Sequence, residues 1–236
     1  MRKTRLAALL ASIAVVGWPA TATAVAQDGC AALGGTVQAG NVCHVQATNA
    51  GYRLDVQFPL NYPDEQSVVD YLRQNRDGFV NVAQTPDSRN QPYELDVTFQ
   101  SFSSGQSFSS GSPSSGTQSV VLKLFQDVGG AHPLTWYKAF TYDLAQRRTV
   151  TFDTLFSPGS NPLAAISPIV QRDLERQTGL TTAISGGDGL DPSHYQDFAI
   201  TDDALIFFFG QGDLLLSDAG AISASVPRNA IPPLQL

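Results

Sequence analysis

The chain has 236 residues, 14 Lys and Arg against 21 Asp and Glu, a formal charge of −7, and 42% hydrophobic but only 15% charged residues. That apolar content supports a packed core and excludes an intrinsically disordered chain. The acidic excess excludes a basic nucleic-acid-binding surface, and the length fits one domain or one domain in two lobes.

Arg2, Lys3 and Arg5 precede an apolar run from Leu6 to Trp18, and small residues then lead to Ala22-Thr23-Ala24 and Ala24-Val25-Ala26. A basic stretch, a short apolar core and an A-x-A site predict a secretion signal peptide over 1–26. The run is about thirteen residues long, too short for a helix that must cross roughly 30 Å of hydrocarbon. Cleavage after Ala26 removes three basic residues and no acid, leaving 11 basic against 21 acidic residues and a net charge of −10 over 210 residues. The expected product is exported, soluble and acidic, with no transmembrane segment.

Cys30 and Cys43 are the only cysteines. In an oxidising compartment an even count predicts one disulfide, worth about 3 kcal/mol in the chain-entropy model, that pins the new N-terminus to the domain. A zinc site is a poor reading, because the pair with the adjacent His44 lacks further ligands.

Gly51 to Phe58 alternates and reads as a strand. Pro63, Asp64 and Glu65 open a helix that ends near Gln84, with Val68, Leu72, Phe79 and Val82 as its apolar stripe. Pro92 to Phe102 and Ser119 to Val128 are strands, and the Ser- and Gly-rich segment 101–116 between them reads as a mobile loop or linker. Gly129-Gly130-Ala131-His132-Pro133 is a turn before a strand from Leu134 to Asp143. Trp136, Lys138, Phe140 and Tyr142 lie on one face of that strand and Thr135, Tyr137, Ala139 and Thr141 on the other. Thr149 to Phe152 should pair with it across a turn.

A second helix starts with Ser167 as cap and Pro168 at its first position, buries Ile166, Val170 and Leu174, and ends at Gly179. Asp197 to Phe209 predicts a hairpin turning at Asp202-Asp203, with Ile206 to Phe209 buried on both faces, and Ile222 to Pro227 a last strand. The order predicts an α+β fold, an antiparallel sheet with two main helices packed on one side. After the signal peptide it is a single domain over 27–236, divisible into lobes at 27–116 and 117–236. It does not alternate as a dinucleotide-binding chain would, and G-x-G-x-x-G and P-loop motifs are absent.

Three histidines could act as a base. His44 reads as a surface residue beside the disulfide, and His194 as part of a capped turn, Asp191-Pro192-Ser193-His194-Tyr195. His132 is preceded by two glycines and followed by proline, a backbone able to fix an imidazole beside a cleft. The alternative is a turn residue hydrogen-bonded to a carbonyl. Asp143 and Asp153 are candidate orienting carboxylates, or strand-end and turn residues. Asp188, Asp191, Asp197, Asp202 and Asp203 lack the spacing of a calcium loop. No G-x-S-x-G elbow marks a nucleophilic serine. No cofactor or metal is expected.

Gly129-Gly130-Ala131-His132, Tyr142-Asp143-Leu144, the stretch Thr149 to Phe156 and the stretch Phe198 to Phe209 resemble an extracellular domain of bacterial envelope proteins, also found in the lysozyme-binding anti-sigma factor. Tyr62-Pro63-Asp64, Tyr137-Lys138-Ala139-Phe140, Pro168-Ile169-Val170-Gln171, Gly189-Leu190-Asp191-Pro192, Val226-Pro227-Arg228 and the cysteine pair extend the likeness over the mature chain. The whole resembles the secreted mycobacterial immunogenic antigen family, with a Ser-rich insert at 101–116 longer than is usual there.

That resemblance implies a secreted or cell-wall-associated α+β protein, an antigen, with some relatives described as esterases. Two functions follow as expectations. One is an extracellular interaction module whose acidity attracts a cationic protein or envelope partner. The other is a weak carboxylesterase on short acyl esters. It would use an unassigned serine, His132 as base, Asp143 to orient it, and the N–H groups of Gly129 and Gly130 for the oxyanion.

Overall fold

The structure, a computed structural model, describes residues 29–85, 91–109, 112–130, 132–181, 184 and 188–236. The signal-peptide reading for 1–26 lies outside them. No helix among the described residues is long and apolar enough to cross a membrane.

Seven strands form the large sheet in chain order: β1 (Thr36–Gln38), β2 (Val42–Thr48), β3 (Tyr52–Pro59), β4 (Tyr93–Ser109), β5 (Ser112–Asp127), β6 (Leu134–Asp143) and β7 (Arg148–Thr149). All neighbours pair antiparallel except β3 and β4, which run parallel, Tyr52 opposite Tyr93 and Val56 opposite Val97. A parallel pair needs a long crossover, and helix α1 (Glu65–Gln84) supplies it. The sheet is therefore mixed, though mostly antiparallel.

α1 lies over one face. Its Val68, Val69, Leu72, Phe79 and Ala83 pack on Leu54, Val56 and Phe58 of β3, on Leu95 and Val97 of β4, and on Leu122 and Leu124 of β5. Val82, placed on this stripe from the sequence, is 46% exposed, and Ala83 takes the inward position instead. The smaller residue lets the helix end sit close to the sheet.

A second sheet, in the order β10-β9-β8, comprises β8 (Phe198–Ile200), β9 (Ala204–Phe209) and β10 (Ile222–Pro227). The run Ile206 to Phe209 shows why it is apolar throughout. Phe207 and Phe209 face a second core with α2 (Phe152–Leu155) and α3 (Pro162–Thr178), where Leu163, Ile166, Val170 and Leu174 are buried. Phe208 faces the large sheet, 5.3 Å from the ring of Tyr137 and 5.9 Å from that of Phe102. The layers run α1, large sheet, small sheet, α3. The helices thus sit on opposite outer sides of two stacked sheets and not on one side of a single sheet.

Side chains from the second layer close the free edges that strands would otherwise expose. On β6, Asp197 Oδ1 accepts Ala139 N–H at 2.8 Å, and Gln211 both donates its N–H to Thr135 O and accepts Thr135 N–H. On β10, Asp173 of α3 accepts Ser225 N–H at 3.0 Å while Gln177, one turn on, donates to Ser223 O.

Three expectations change. Segment 101–116 is not a linker: β4 and β5 stay paired through it, from Ser101 opposite Val120 to Ser109 opposite Ser112. Ladder bonds are made by backbone, so serine composition does not prevent them. A bulge follows Ser104, and a Cβ on Gly116 would lie 2.2 Å from Ser104 O, so only glycine fits there. α3 begins with Asn161 as cap and Pro162 as its first residue, six residues before the expected cap and proline, and carries Pro168 inside it. Phe152 opens α2 and leaves β7 only two residues long.

Candidate functional site

His132 is exposed in the turn before β6. Asp143, 2% exposed, ends the same strand. A ten-residue strand rising about 3.3 Å per residue separates them by roughly 30 Å, so the structure does not bring them together. Asp143 instead holds a turn. Its Oδ1 accepts the N–H groups of Ala145 at 2.9 Å and Gln146 at 3.0 Å, before Arg147 turns the chain at φ 53°. Its Oδ2 is buried and has no partner among the described residues, as does Nε of Arg148, the residue directly opposite in β7. Gly129, at φ 74°, gives its N–H to Asp127 Oδ1 at 2.9 Å, which occupies one of the expected oxyanion donors.

The disulfide forms between Cys30 and Cys43, with Cα atoms 5.5 Å apart. Next to it, His44 is more than a surface residue. Its Nε2 lies 2.8 Å from Asp55 Oδ1, Gln46 donates to Asp55 Oδ2 at 2.8 Å, and Gln38 Nε2 meets His44 Nδ1 at 2.6 Å. Burial pushes the Asp55 carboxyl up, but the bonds from Gln46 and His44 outweigh it and hold it below its usual value. The same sheet face carries Arg53, which pairs with Glu94, and Asp96, whose carboxyl is pushed up to about 6 by burial and by Glu94 beside it.

The five aspartates between 188 and 203 do not converge. Asp197 caps β6, Asp202 accepts Gly105 N–H on the β4–β5 arm at 2.6 Å, and Asp191 caps Ser193 N–H. No group of three or more His, Cys, Asp or Glu among the described residues could hold a metal ion.

Two cavities among the described residues have room for a small ligand. The first, about 200 Å³, opens between the β3–α1 connection and the β4–β5 arm and is walled by Asn61, Tyr62, Ser101, Ser103, Gln106, Gln118 and Ser119, with Phe102 and Val120. The second, about 250 Å³, lies at the head of α3. Phe152, Phe156, Leu163 and Pro192 give it apolar walls, and Asp153, Ser157, Ser160 and Asn161 add polar groups. The Ser160 hydroxyl donates to Ser157 O at 2.7 Å. Asn161 makes no side-chain cap, so the positive end of the α3 dipole faces this cavity, although Pro162 has no N–H and Ala164 gives its own to Asn161 O at 3.3 Å. Pro192 begins the short helix Pro192–Tyr195, which also carries the half-buried His194. Of the three histidines, His194 alone shares an element with a wall of either cavity. Sequence reading passed over Ser157 and Ser160 because it placed the helix start at Ser167. The usable signal was Asn161-Pro162 after a glycine turn.

A family described as a protein of unknown function (DUF3298) matches residues 153–229, which hold α3, its cavity and the second sheet. The chain is 58% identical over 236 residues to "Esterase Rv3036c" of Mycobacterium tuberculosis, covering all of both chains. It is 40% identical over 223 residues to "Immunogenic protein MPB64" of Mycobacterium bovis, covering 94% of this chain and 95% of the relative. A crystal structure of a DUF3298 family protein from Pseudomonas aeruginosa PAO1 aligns at 11% identity with a TM-score of 0.49, covering 82% of this chain and 94% of that one. On identity of that extent along the whole length, this chain belongs to the family of the mycobacterial immunogenic proteins MPB64 and MPT64 and of the esterase Rv3036c.

Proposed function

We propose that this chain is an exported hydrolase of short-chain carboxylic esters, acting at the cavity at the head of α3. The observation that carries the reading is that cavity itself: apolar walls of acyl-chain size beside two serine hydroxyls, in a chain 58% identical end to end to a relative named as an esterase. Its volume lies just below the roughly 300–1,000 Å³ of drug-sized ligand sites, which suits a short acyl group.

A serine Oγ attacks the ester carbonyl, and its proton passes through a base to the departing alcohol. Water then attacks the acyl-serine, releases the acid and returns the proton to the serine. The positive dipole end of α3, uncapped by Asn161, suits the oxyanion of each tetrahedral intermediate. His194 is the base favoured by position, and His132 is the competing one.

The test is saturable hydrolysis of nitrophenyl butyrate by the mature protein beside Ser157→Ala, Ser160→Ala, His194→Gln, His132→Ala and a heat-unfolded control. Loss of about 10²-fold or more in a serine variant and in His194→Gln supports this site. Equal rates in all samples, unfolded protein included, remove the ester-hydrolase reading. A loss confined to His132→Ala moves the site to the other end of the molecule.

A second reading, an extracellular interaction module, is favoured by the charged sheet face around Arg53, Asp55, Glu94 and Asp96, whose side chains are 29–57% exposed. With a mature charge of −10, a cationic protein is the expected partner. Titration with lysozyme as a cationic probe should give binding that weakens with salt, and no detectable binding at low salt removes that partner.

A further inference from the structure

Charge is one-sided at the cavity at the head of α3. Among the described residues that line it, Asp153 alone carries a formal charge. Neither stretch of chain that supplies its walls, 152–163 or Pro192–Tyr195, contains a Lys or an Arg. Burial separates the walls from that charge. Phe152, Phe156 and Leu163 are buried, whereas Asp153 is exposed. An acyl chain therefore belongs against the buried walls, which leaves the alcohol half of an ester on the solvent side with Asp153.

Asp153 has little structural work to explain it. The start of α2 is closed without it, by the reciprocal bonds of Thr151 and Thr154, with Thr151 N–H donating to Thr154 Oγ1 at 3.0 Å. An acid in the first turn of a helix is favourable, but α2 has four residues and a correspondingly small dipole. The Asp153 carboxylate makes no hydrogen bond or ion pair among the described residues. A carboxylate left free at a cavity without a cation draws positive charge in and keeps negative charge out.

We infer that Asp153 selects substrates by charge, so that this site takes short-chain esters of alcohols that bear an ammonium group; the inference rests on the ester-hydrolase reading of the same cavity. The two ends of such a substrate meet opposite poles. The ester oxygen that becomes the oxyanion lies toward the positive dipole end of α3, and the ammonium of the departing alcohol lies toward Asp153. An ester with an anionic alcohol meets repulsion at the same place.

The experiment measures kcat/KM of the mature protein at low salt for butyrylcholine, for its neutral isostere with a tert-butyl group in place of the trimethylammonium, and for anionic butyryloxyacetate. Asp153→Asn and Asp153→Lys are run alongside. The choline ester should exceed the isostere by about fivefold, the effect of one unit charge at contact distance in aqueous surroundings. The anionic ester should fall below the isostere. Asp153→Asn should bring the ratio of choline ester to isostere close to one, and Asp153→Lys should invert it. Each ratio is taken within one protein, so a change in folded fraction cancels.

A preference that survives in Asp153→Asn belongs to the negative charge of the whole molecule and overturns the inference. So does an equal loss on all three esters with the ratio kept, which would put Asp153 in the chemistry instead. Wild type that hydrolyses the choline ester and the isostere equally well overturns the inference and leaves the ester-hydrolase reading standing. Absence of turnover on every ester, nitrophenyl butyrate included, overturns both.

Discussion

The indole N–H of Trp136 donates to the phenol oxygen of Tyr71 at 2.9 Å and so ties β6 to the middle of α1. The residues are 65 positions apart, and both are partly buried. Phe140, four residues further along β6, packs edge-on against the same Tyr71 ring at 5.9 Å. The pair is thus one polar bolt in an otherwise apolar contact.

Tyr71→Phe should cost about 0.5–1.5 kcal/mol, the net worth of one such bond, because the ring packing remains. For a chain of this size that lowers Tm by about 2–4 °C per kcal/mol. Trp136→Phe loses the same bond and some area, so the double variant should cost less than the sum of the singles. Thermal melts of the four proteins measure this, and strict additivity would show that the bond carries no coupling.

Among the described residues the pH dependence of stability follows from Glu65, Asp96 and Asp197, whose carboxyls are held high, and from Glu94, Asp55 and Asp191, whose carboxyls are held low. Burial pushes Glu65 up to about 6, and burial together with Glu94 pushes Asp96 to about 6. Their unfolded values lie near about 4, so the folded state binds more protons between the two, and stability falls as pH rises from about 4 through 6. The hydrogen bond from Arg53 holds Glu94 low, and Asp55 is also held low, so these two contribute stability above about pH 4 that is lost on acidification. Glu65→Gln should therefore raise Tm relative to wild type at neutral pH, with the gain vanishing near pH 4. An equal gain at both pH values would mean that Glu65 titrates normally.

The disulfide closes a loop of sequence separation 13 and lies in the core beside Val45 and Leu33. Cys30→Ala with Cys43→Ala should cost about 3 kcal/mol or somewhat more, from loop entropy and lost packing. Gly35 adds a steric condition, since a Cβ there would lie 2.6 Å from the Cys43 sulfur. Gly35→Ala should thus destabilise the oxidised protein more than the cysteine-free one, and denaturant titration of both backgrounds checks it.

Period-two alternation made β3, β4 and β6 legible in the sequence, because each strand has two faces with different neighbours. Even the triple Phe207-Phe208-Phe209 was readable as a strand buried on both sides. Two features were not. The start of α3 was obscured because Ser167-Pro168 carries the same local signature as Asn161-Pro162. Pro168 is exposed and costs only one backbone bond, while Ile166, Val170 and Leu174 hold the helix through it. The second sheet was hidden because alternation reports that a face is covered, not by what. At the site, His132 stood out for its glycines, yet proximity to a cavity is a property of tertiary packing that no local pattern encodes.

Asp143 and His132 make opposite predictions for this reason. If Asp143 acts by holding the turn into β7, Asp143→Ala frees the Ala145 and Gln146 N–H groups and should destabilise by about 1–3 kcal/mol. Asp143→Asn keeps an oxygen in the Oδ1 position and gives the opposite edge of the side chain an N–H, so it should cost less. His132→Ala, on an exposed turn, should stay within about 0.5 kcal/mol of wild type. Urea unfolding of the three variants, run beside ester hydrolysis corrected for folded fraction, separates structure from chemistry. Asp143→Ala as stable as wild type but inactive would return Asp143 to the chemistry, with a base other than His132, since the length of β6 keeps those two apart.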